Sequence, residues 1–258
     1  ATEFAQASLL PDSLQNQNRV KTGTTNIVFR SADNGETWQD ISDGLPEPMI
    51  DSFSGGRRVF FADHNGLWLT DGNRIFQSKP NFTAPFWTKA DLPDEKSSIS
   101  PGKNGIYAFH YLSGIFQKSI GTSKWSPVFT DFKDKRVRGV LETAEGVIYI
   151  TTDKGLFKSA DRGETWKTIP VGGLGGKIVE SNGVLLTTGP KGIMRSTDNG
   201  ENWFWVIKEG GVGIDITKIK GGFAAITYNS ASKTRRVRTS YDGGKTWQPI
   251  DEGLPAQL

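Results

Sequence analysis

The chain is dominated by short, mainly apolar segments bounded by turn residues. Examples are residues 147–152, 155–159, 184–188, 192–195 and 223–228, and in residues 236–238 charged and apolar side chains alternate. Short apolar runs between turn signals and alternation with a period of two residues are both typical of β-strands. The turns between paired segments carry Gly beside Asp, Glu or Lys, a composition that favours tight hairpins. Because no segment of useful length has the 3.6-residue period of a helix, the sequence predicts an all-β protein built from antiparallel hairpins.

A Ser-x-Asp-x-Gly-x-x-Trp pattern occurs four times, each time directly after an alternating strand. Ser and Asp side chains close turns by bonding nearby backbone amides, Gly adopts positive φ at little cost, and Trp carries a large apolar surface into the core. A catalytic residue is needed once, so fourfold repetition favours a structural role over calcium binding or catalysis. The predicted structural residues are Ser31, Asp33, Gly35, Trp38, Ser159, Asp161, Gly163, Trp166, Ser196, Asp198, Gly200, Trp203, Ser240, Asp242, Gly244 and Trp247.

Two degraded copies of the pattern fill the long interval after the first copy, and they end at Trp87 and Trp125. A repeat of roughly 40–50 residues that holds several strands is typical of propeller blades. The sequence therefore predicts an all-β, six-bladed β-propeller of four-stranded antiparallel blades, with the repeated turn between the third and fourth strands. We expect one domain over residues 1–258, with blades ending near Trp38, Trp87, Trp125, Trp166, Trp203 and Trp247.

The repeated pattern resembles the Asp-box, or BNR repeat, of sialidase-like β-propellers. The resemblance covers residues 26–250 and is specific for the fold. It implies that the first and last blades share strands, so the N-terminal segment is expected to complete blade 1. Relatives of this kind include sialidases and other glycoside hydrolases, sortilin-like receptors, lectins and assembly factors that resemble those of photosystem II. The chain is similar in character to the non-catalytic assembly factors, because it lacks the sialidase motifs.

Composition removes several classes of function. The chain has no Cys, which excludes disulfides, thiolate metal sites and a Cys nucleophile. It has no run of 18 apolar residues that could span a membrane, and a net charge of +3 is too small to indicate a nucleic-acid partner. His64 and His110 have no second ligand at metal spacing, so we predict no metal and no cofactor. The N-terminus lacks Met, which is compatible with removal of a signal peptide. We expect a secreted or periplasmic monomer, with anchoring to the cell surface as an option.

The resemblance implies that the first strand of each blade lines a central channel, and that partners bind at one mouth of it. Ionisable residues on these inner strands are therefore the channel-mouth candidates. A pair of carboxylates across the mouth could also act as acid and base on a glycosidic bond. The alternative is that these side chains are solvated and charge-paired. The candidates are Arg138, Glu142, Glu180 and Asp215.

A second candidate is the basic strand around Val237. Arg236 and Arg238 lie two residues apart, so their side chains point to the same face of the strand, and Arg235 precedes them. These three Arg residues form a predicted basic patch for an acidic partner, although most charge runs are simply solvated.

The sequence favours a non-enzymatic binding or assembly propeller that recognises a protein or carbohydrate partner at a channel mouth or a basic blade face. Sialidases of the family carry an Arg-Ile-Pro motif, three substrate-binding Arg residues and a Tyr nucleophile beside a Glu. This chain has no Arg-Ile-Pro, and Tyr107, Tyr149 and Tyr228 are predicted on second strands. The alternative is a glycoside hydrolase or sialidase-like enzyme acting on extracellular glycans. A lectin is a third class.

Overall fold

Short antiparallel β-strands are the regular elements of the described part of the protein. The computed structural model describes residues 26–46, 60–63, 66–71, 74–79, 81–110, 114–129, 135–169, 176–208 and 211–252. The chain divides into two compact units, an N-terminal unit of residues 1–96 and a C-terminal unit of residues 97–258. Within these described ranges, no helix has the length and apolar character that crossing a bilayer requires.

The N-terminal unit contains one two-stranded and one four-stranded sheet among its described residues. The two-stranded sheet pairs β1 (Phe29–Arg30) with β2 (Gln39–Asp40). The four-stranded sheet, blade 2, consists of β3 (Phe60–Asp63), β4 (Gly66–Asp71), β5 (Arg74–Ser78) and β6 (Trp87–Lys89). A buried cluster joins the two sheets and includes Ile41, Leu45, Leu67, Phe76 and Trp87.

The C-terminal unit consists of four successive four-stranded sheets. Blade 3 contains β7 (Ser98–Gly102), β8 (Gly105–His110), β9 (Gly114–Ser119) and β10 (Ser126–Phe129). Blade 4 contains β11 (Val137–Glu142), β12 (Ile148–Thr152), β13 (Gly155–Ser159) and β14 (Lys167–Ile169). Blade 5 contains β15 (Ile178–Ser181), β16 (Val184–Gly189), β17 (Gly192–Ser196) and β18 (Phe204–Ile207). Blade 6 contains β19 (Val212–Ile219), β20 (Gly222–Asn229), β21 (Thr234–Ser240) and β22 (Gln248–Pro249).

Every four-stranded sheet has the same antiparallel order, in which each strand pairs with the next one in the sequence. In the C-terminal unit the first strands of successive sheets contact one another, β7 with β11, β11 with β15 and β15 with β19. Apolar side chains from adjacent sheets form shared buried clusters between them. The sheets are therefore the blades of a β-propeller, and the Asp-box turn joins the third strand to the fourth, as the sequence predicts.

The blade count differs from the prediction of six. The described residues contain five four-stranded blades, and the first repeat contributes only the pair β1 and β2 around its box. The strands expected from residues 1–25 lie outside the described residues, so the sixth complete blade is not confirmed. The sequence of residues 1–25 has neither clear alternation nor hairpin turns, so it did not predict how strands there would pair. The sequence did not determine the strand pairing of blade 2. In the structure β3 pairs with β4, β4 with β5 and β5 with β6.

Strand direction gives each blade two distinct ends. The turn between the first and second strands lies at the same end as the Asp-box turn, and we call this the box end. The start of the first strand and the turn between the second and third strands lie at the opposite end, which we call the hairpin end. Contacts between neighbouring blades keep this polarity, since Asn104 meets Glu142 at the box end and Gly139 lies against Gly176 at the hairpin end.

A Gly opposite a buried Thr marks the hairpin end of three inner strands. Gly139 pairs with Thr151, Gly213 pairs with Thr227, and the Gly176 amide donates to Thr188 Oγ1 at 3.0 Å. A Cβ atom on Gly139 would lie 2.9 Å from the Gly176 carbonyl oxygen, and one on Gly213 would lie 2.3 Å from the Gly192 carbonyl oxygen. The absence of a side chain at these two positions therefore allows adjacent blades to approach closely.

We predict that Gly213→Ala lowers the free energy of unfolding by about 1–3 kcal/mol, because a methyl group there meets rigid backbone. Gly176→Ala is the matched control, since a Cβ at that position has no neighbour within 4 Å. Its effect should stay within about 0.5 kcal/mol. Urea unfolding of both variants measures the difference, and equal losses would show that blade contact does not require Gly213.

Candidate functional site

The Asp-box turn satisfies its own polar groups. In blade 4, Ser159 Oγ donates to Asp161 Oδ1 at 2.7 Å and accepts the Gly163 amide at 2.8 Å. Asp161 also accepts the amide and the hydroxyl of Thr165, at 2.9 and 2.5 Å, and Trp166 Nε1 donates to the Gly163 carbonyl at 3.0 Å. The boxes that begin at Ser31, Ser196 and Ser240 repeat the bonds of the Ser, Gly and Trp residues. Thr37 and Thr246 donate to their box Asp as Thr165 does, and in the Ser196 box Asn202 donates instead. The Asp carboxylate is thus a turn acceptor in all four boxes.

These hydrogen bonds stabilise the ionised form of the box carboxylates. The Thr37 and Thr165 hydroxyls, followed by the amides of the same residues, lower the pKa of Asp33 and Asp161 to about 2. The pKa of Asp198 falls below its ordinary value mainly because of the Asn202 amide, and that of Asp242 mainly because of the Thr246 hydroxyl. A carboxylate that stays ionised at neutral pH has no proton to donate there, so the four box Asp residues are not suited to act as general acids.

The boxes of blades 5 and 6 also hold the preceding blade. Tyr149 Oη of blade 4 donates to the Asn199 carbonyl of the blade 5 box at 2.6 Å. Lys158 and Lys167 of blade 4 both bind Glu201 of that box, at 2.8 and 2.5 Å, and they lower its pKa to about 2. Arg195 Nε of blade 5 donates to the Gly243 carbonyl of the blade 6 box at 2.7 Å. The box end is therefore occupied by joints between blades.

The sequence predicted that the box Trp residues enter the core, but three of them lie partly buried between blades. Trp166, Trp203 and Trp247 are partly buried and pack against the clusters that adjacent blades share. Trp166 contacts Phe129 of blade 3, with ring centroids 5.0 Å apart. Trp87, in the degraded repeat, is fully buried and donates to the Ile41 carbonyl at 2.6 Å instead of to a box Gly. Where the repeat lacks the box Asp and Gly, the Trp indole thus donates to a carbonyl outside its own turn.

Glu142, a channel-mouth candidate, is bound by residues of blade 3. Tyr107 Oη donates to Glu142 Oε2 at 3.0 Å, and Asn104 Nδ2 donates to Oε1 at 3.0 Å. Tyr107 is completely buried, and burial followed by the Glu142 charge raises its pKa above the ordinary value. The phenol is therefore a protonated donor, which gives this Tyr–Glu pair the role of a joint between blades 3 and 4.

The other inner-strand candidates occupy two different ends of the blades. Glu180 lies near the box end, where its Oε1 accepts the Gly183 amide at 2.9 Å and closes the turn after β15. Asp215 lies in the half of β19 nearer the hairpin end, and its Oδ1 accepts the Ile216 amide at 2.8 Å. Arg138 lies at the hairpin end and is exposed. The four candidates, with Glu142 at the box end, therefore do not gather at one mouth.

The predicted basic patch on β21 is partly neutralised by local partners. Arg236 Nε forms an ion pair with Asp251 Oδ2 at 2.7 Å. Arg238 Nη1 donates to the buried Thr227 Oγ1 at 2.8 Å, so its head group lies against the neighbouring strand. Arg235 is exposed at the hairpin end of blade 6. The alternation that suggested a stripe holds, but two of its three cations already have partners within the blade.

A group of cations lies at the hairpin end of blades 4 and 5, and of these the sequence had singled out only Arg138 as a candidate. The members of this group occupy inner-strand starts and the turns between second and third strands. In the described part of the chain none of them forms an ion pair. The grouping was missed because the residues are scattered in sequence and come to one end only when blades pack side by side. The members are Arg136, Arg138, Lys154, Lys177 and Lys191.

No other chemistry is concentrated in the described residues. Among them, no group of three His, Asp or Glu side chains has the arrangement of a metal site. His110 lies at the end of β8, and His64 falls outside the described residues.

Four-stranded blades with Asp-box turns define a β-propeller of BNR repeats, and comparison with known proteins agrees. The BNR/Asp-box repeat family matches residues 238–249, which include the box of blade 6. No curated protein matches the chain. Similarity to solved structures is at most 17% identity in the three comparisons given below, so it shows the fold alone.

Three solved structures illustrate the range of similar propellers. The GH74 xyloglucanase from Xanthomonas campestris has a TM-score of 0.59 at 17% identity, over 86% of this chain and 42% of the xyloglucanase. YCF48 bound to D1 peptide has a TM-score of 0.55 at 16% identity, over 90% of this chain and 78% of that one. The extracellular domain of a protein described as a hybrid two-component system, from Bacteroides thetaiotaomicron, has a TM-score of 0.59 at 15% identity, over 90% and 33%. The chain thus spans less than half of the xyloglucanase.

The lowered box pKa values predict acid sensitivity. A carboxylate whose pKa is lower in the folded than in the unfolded chain stabilises the fold above its unfolded pKa and loses that contribution as the pH falls. We expect the free energy of unfolding to decrease between pH 3.8, the ordinary Asp value, and about 2. Asp161→Asn should lower stability at pH 7 and flatten this dependence, as measured by urea unfolding at several pH values. Glu164→Gln, an exposed change in the same turn, is the control, and an Asp161→Asn profile parallel to it would contradict the box mechanism.

Proposed function

We propose that this protein is a non-catalytic binding propeller that recognises a protein partner. One observation carries the proposal. The carboxylates and the phenol that glycosidase chemistry would require are held by hydrogen bonds within the fold, whereas the hairpin-end cations of blades 4 and 5 form no ion pair among the described residues. A surface of this kind favours association over bond cleavage.

Tyr107 and Glu142 are the residues closest to a sialidase-like Tyr and Glu pair. A nucleophile must present its oxygen to substrate and is activated by a lowered pKa or an adjacent base. Tyr107 is completely buried, so its oxygen is not presented to a substrate, even though the Glu142 carboxylate is an adjacent base. Burial, followed by the Glu142 charge, also raises the pKa of Tyr107. Glu142 accepts the phenol and the Asn104 amide, and a substrate at this carboxylate would have to displace both.

The comparisons support a binding role without assigning a partner. YCF48 was solved with a bound D1 peptide, and the Bacteroides thetaiotaomicron protein contributes an extracellular domain. We propose that this chain likewise binds a protein, as a monomer and outside the cytoplasm. A glycoside hydrolase is the alternative function, because the xyloglucanase shows that blades of a similar fold can form an enzyme.

Incubation with xyloglucan and with a fluorogenic sialoside tests the proposal. We expect no product above a heat-inactivated sample, since Tyr107, Glu142 and Glu180 of the described part of the chain are already engaged in hydrogen bonds within the fold. Turnover that is lost in Glu180→Gln or Asp215→Asn, but retained in the exposed control Glu145→Gln, would contradict it. Melting curves of all three variants separate loss of turnover from loss of fold.

A further inference from the structure

We propose that the hairpin end of blades 4 to 6 is a docking surface for an acidic segment of another protein. This inference rests on the proposed function and names the face and the chemistry of the partner. The surface consists of Arg136, Arg138, Lys154, Lys177, Lys191 and Ile214, and we call it the hairpin-end face.

A β-bulge displaces Arg138 from the sheet. The register of β11 against β12 shifts between Val137 and Gly139, so Arg138 is the extra residue and has no partner on the second strand. The same device occurs in β19, where the shift between Gly213 and Asp215 makes Ile214 the extra residue. Bulges re-aim side chains at the margins of sheets and next to functional sites. Here they turn one cation and one apolar side chain outward at the same end of two blades.

Contacts within blade 4 and between blades 4 and 5 bring the members of the face together. Arg136 and Asp153 exchange two bonds, from the Arg136 amide to Asp153 Oδ1 at 2.8 Å and from the Asp153 amide to the Arg136 carbonyl at 3.2 Å. This places Arg136 beside Lys154, which follows Asp153. The close approach of Gly139 to Gly176 brings together the backbone segments that carry Arg138 and Lys177.

The face continues from blade 5 to blade 6. Gly213 lies against the Gly192 carbonyl and Thr188, so Ile214 is next to the turn that carries Lys191. The hairpin-end face is thus continuous across three inner strands.

The cations of the hairpin-end face have few carboxylates beside them. At the hairpin end the described carboxylates near the five cations are Asp153 and Asp215, and both accept backbone amides. At the box end, by contrast, Lys158 and Lys167 of blade 4 are paired with Glu201 of blade 5, and blade 6 carries the exposed group Lys218, Lys220 and Lys245. A concentrated positive face attracts and orients a negatively charged partner.

The apolar residues of the C-terminal unit favour a protein over a glycan as the occupant. Ile214 is 46% exposed within the face, and an aliphatic side chain packs against apolar residues of a peptide. Sugar rings instead stack on exposed aromatic side chains. In the described part of this unit the most exposed aromatics are Phe204 and Tyr241, and both lie at the box end. An acidic segment with interspersed apolar residues therefore fits the hairpin-end face.

Fluorescence polarisation with a labelled peptide of repeated Glu-Glu-Leu units tests this proposal at low salt. The triple variant Arg138→Glu/Lys177→Glu/Lys191→Glu should weaken binding by at least about tenfold, because charge complementarity is reversed. The control, Lys218→Glu/Lys220→Glu/Lys245→Glu, changes the total charge equally but at exposed box-end positions. It should weaken binding by less than about threefold, since screening limits the reach of distant charges. A Gln version of the first triple avoids like-charge destabilisation and should show a smaller loss in the same direction.

Each other outcome contradicts the inference. Equal losses of peptide affinity in both triple variants would show that binding depends only on net charge. Absence of peptide binding would show that the face does not recognise an acidic protein segment. Tighter binding of heparin than of the peptide, with the same sensitivity to the first triple, would assign the face to a sulfated glycan instead. None of these results depends on catalysis, so failure here is distinguishable from the turnover that would overturn the non-catalytic role. Ile214→Ser should weaken binding of the peptide and leave binding of heparin unchanged.

Discussion

The structure depends on one local interaction, the hydrogen-bonded closure of the Asp-box turn. A single Asp accepts from a Ser two residues before it and from the residue four positions after it, while the Ser binds the Gly amide. The turn is complete within eight residues and needs no partner from elsewhere. Because it is rigid, it can present its own backbone carbonyls to the neighbouring blade. Tyr149 and Arg195 bind such carbonyls, so one local closure also supports the contact between blades.

This closure separates the two ends of each blade into different roles. At the box end, carboxylates, phenols and amines are used in pairs such as Tyr107 with Glu142 and Lys158 with Glu201. At the hairpin end, the close approach of blades is made by Gly, and Gly uses no charged side chain. Cations at that end therefore remain available for a partner. The placement of the joints on one side thus leaves the other side open for recognition.

Local features of the sequence predicted the fold well, and contacts between blades explain what it missed. The Asp-box bonds join residues at most four positions apart, so the pattern of letters was enough to predict the turn and its place between strands. The Tyr107–Glu142 pair joins residues 35 positions apart on different blades, and the Arg236–Asp251 pair likewise depends on register. The alternating pattern placed Glu142, Glu180, Asp215 and Arg138 correctly on inner strands. It could not show that they lie at different ends, because that follows from where each strand begins.

The most direct test of this separation of roles is hydrogen–deuterium exchange with and without the Glu-Glu-Leu peptide. Bound peptide should slow exchange at the hairpin end, in residues 135–139, 176–178 and 190–193, by shielding amides near the cations. Exchange in the box segments 159–166 and 196–203 should not change, since their amides are already bonded within the turn. Protection of the box segments, with no change at the hairpin end, would contradict the assignment of recognition to that end.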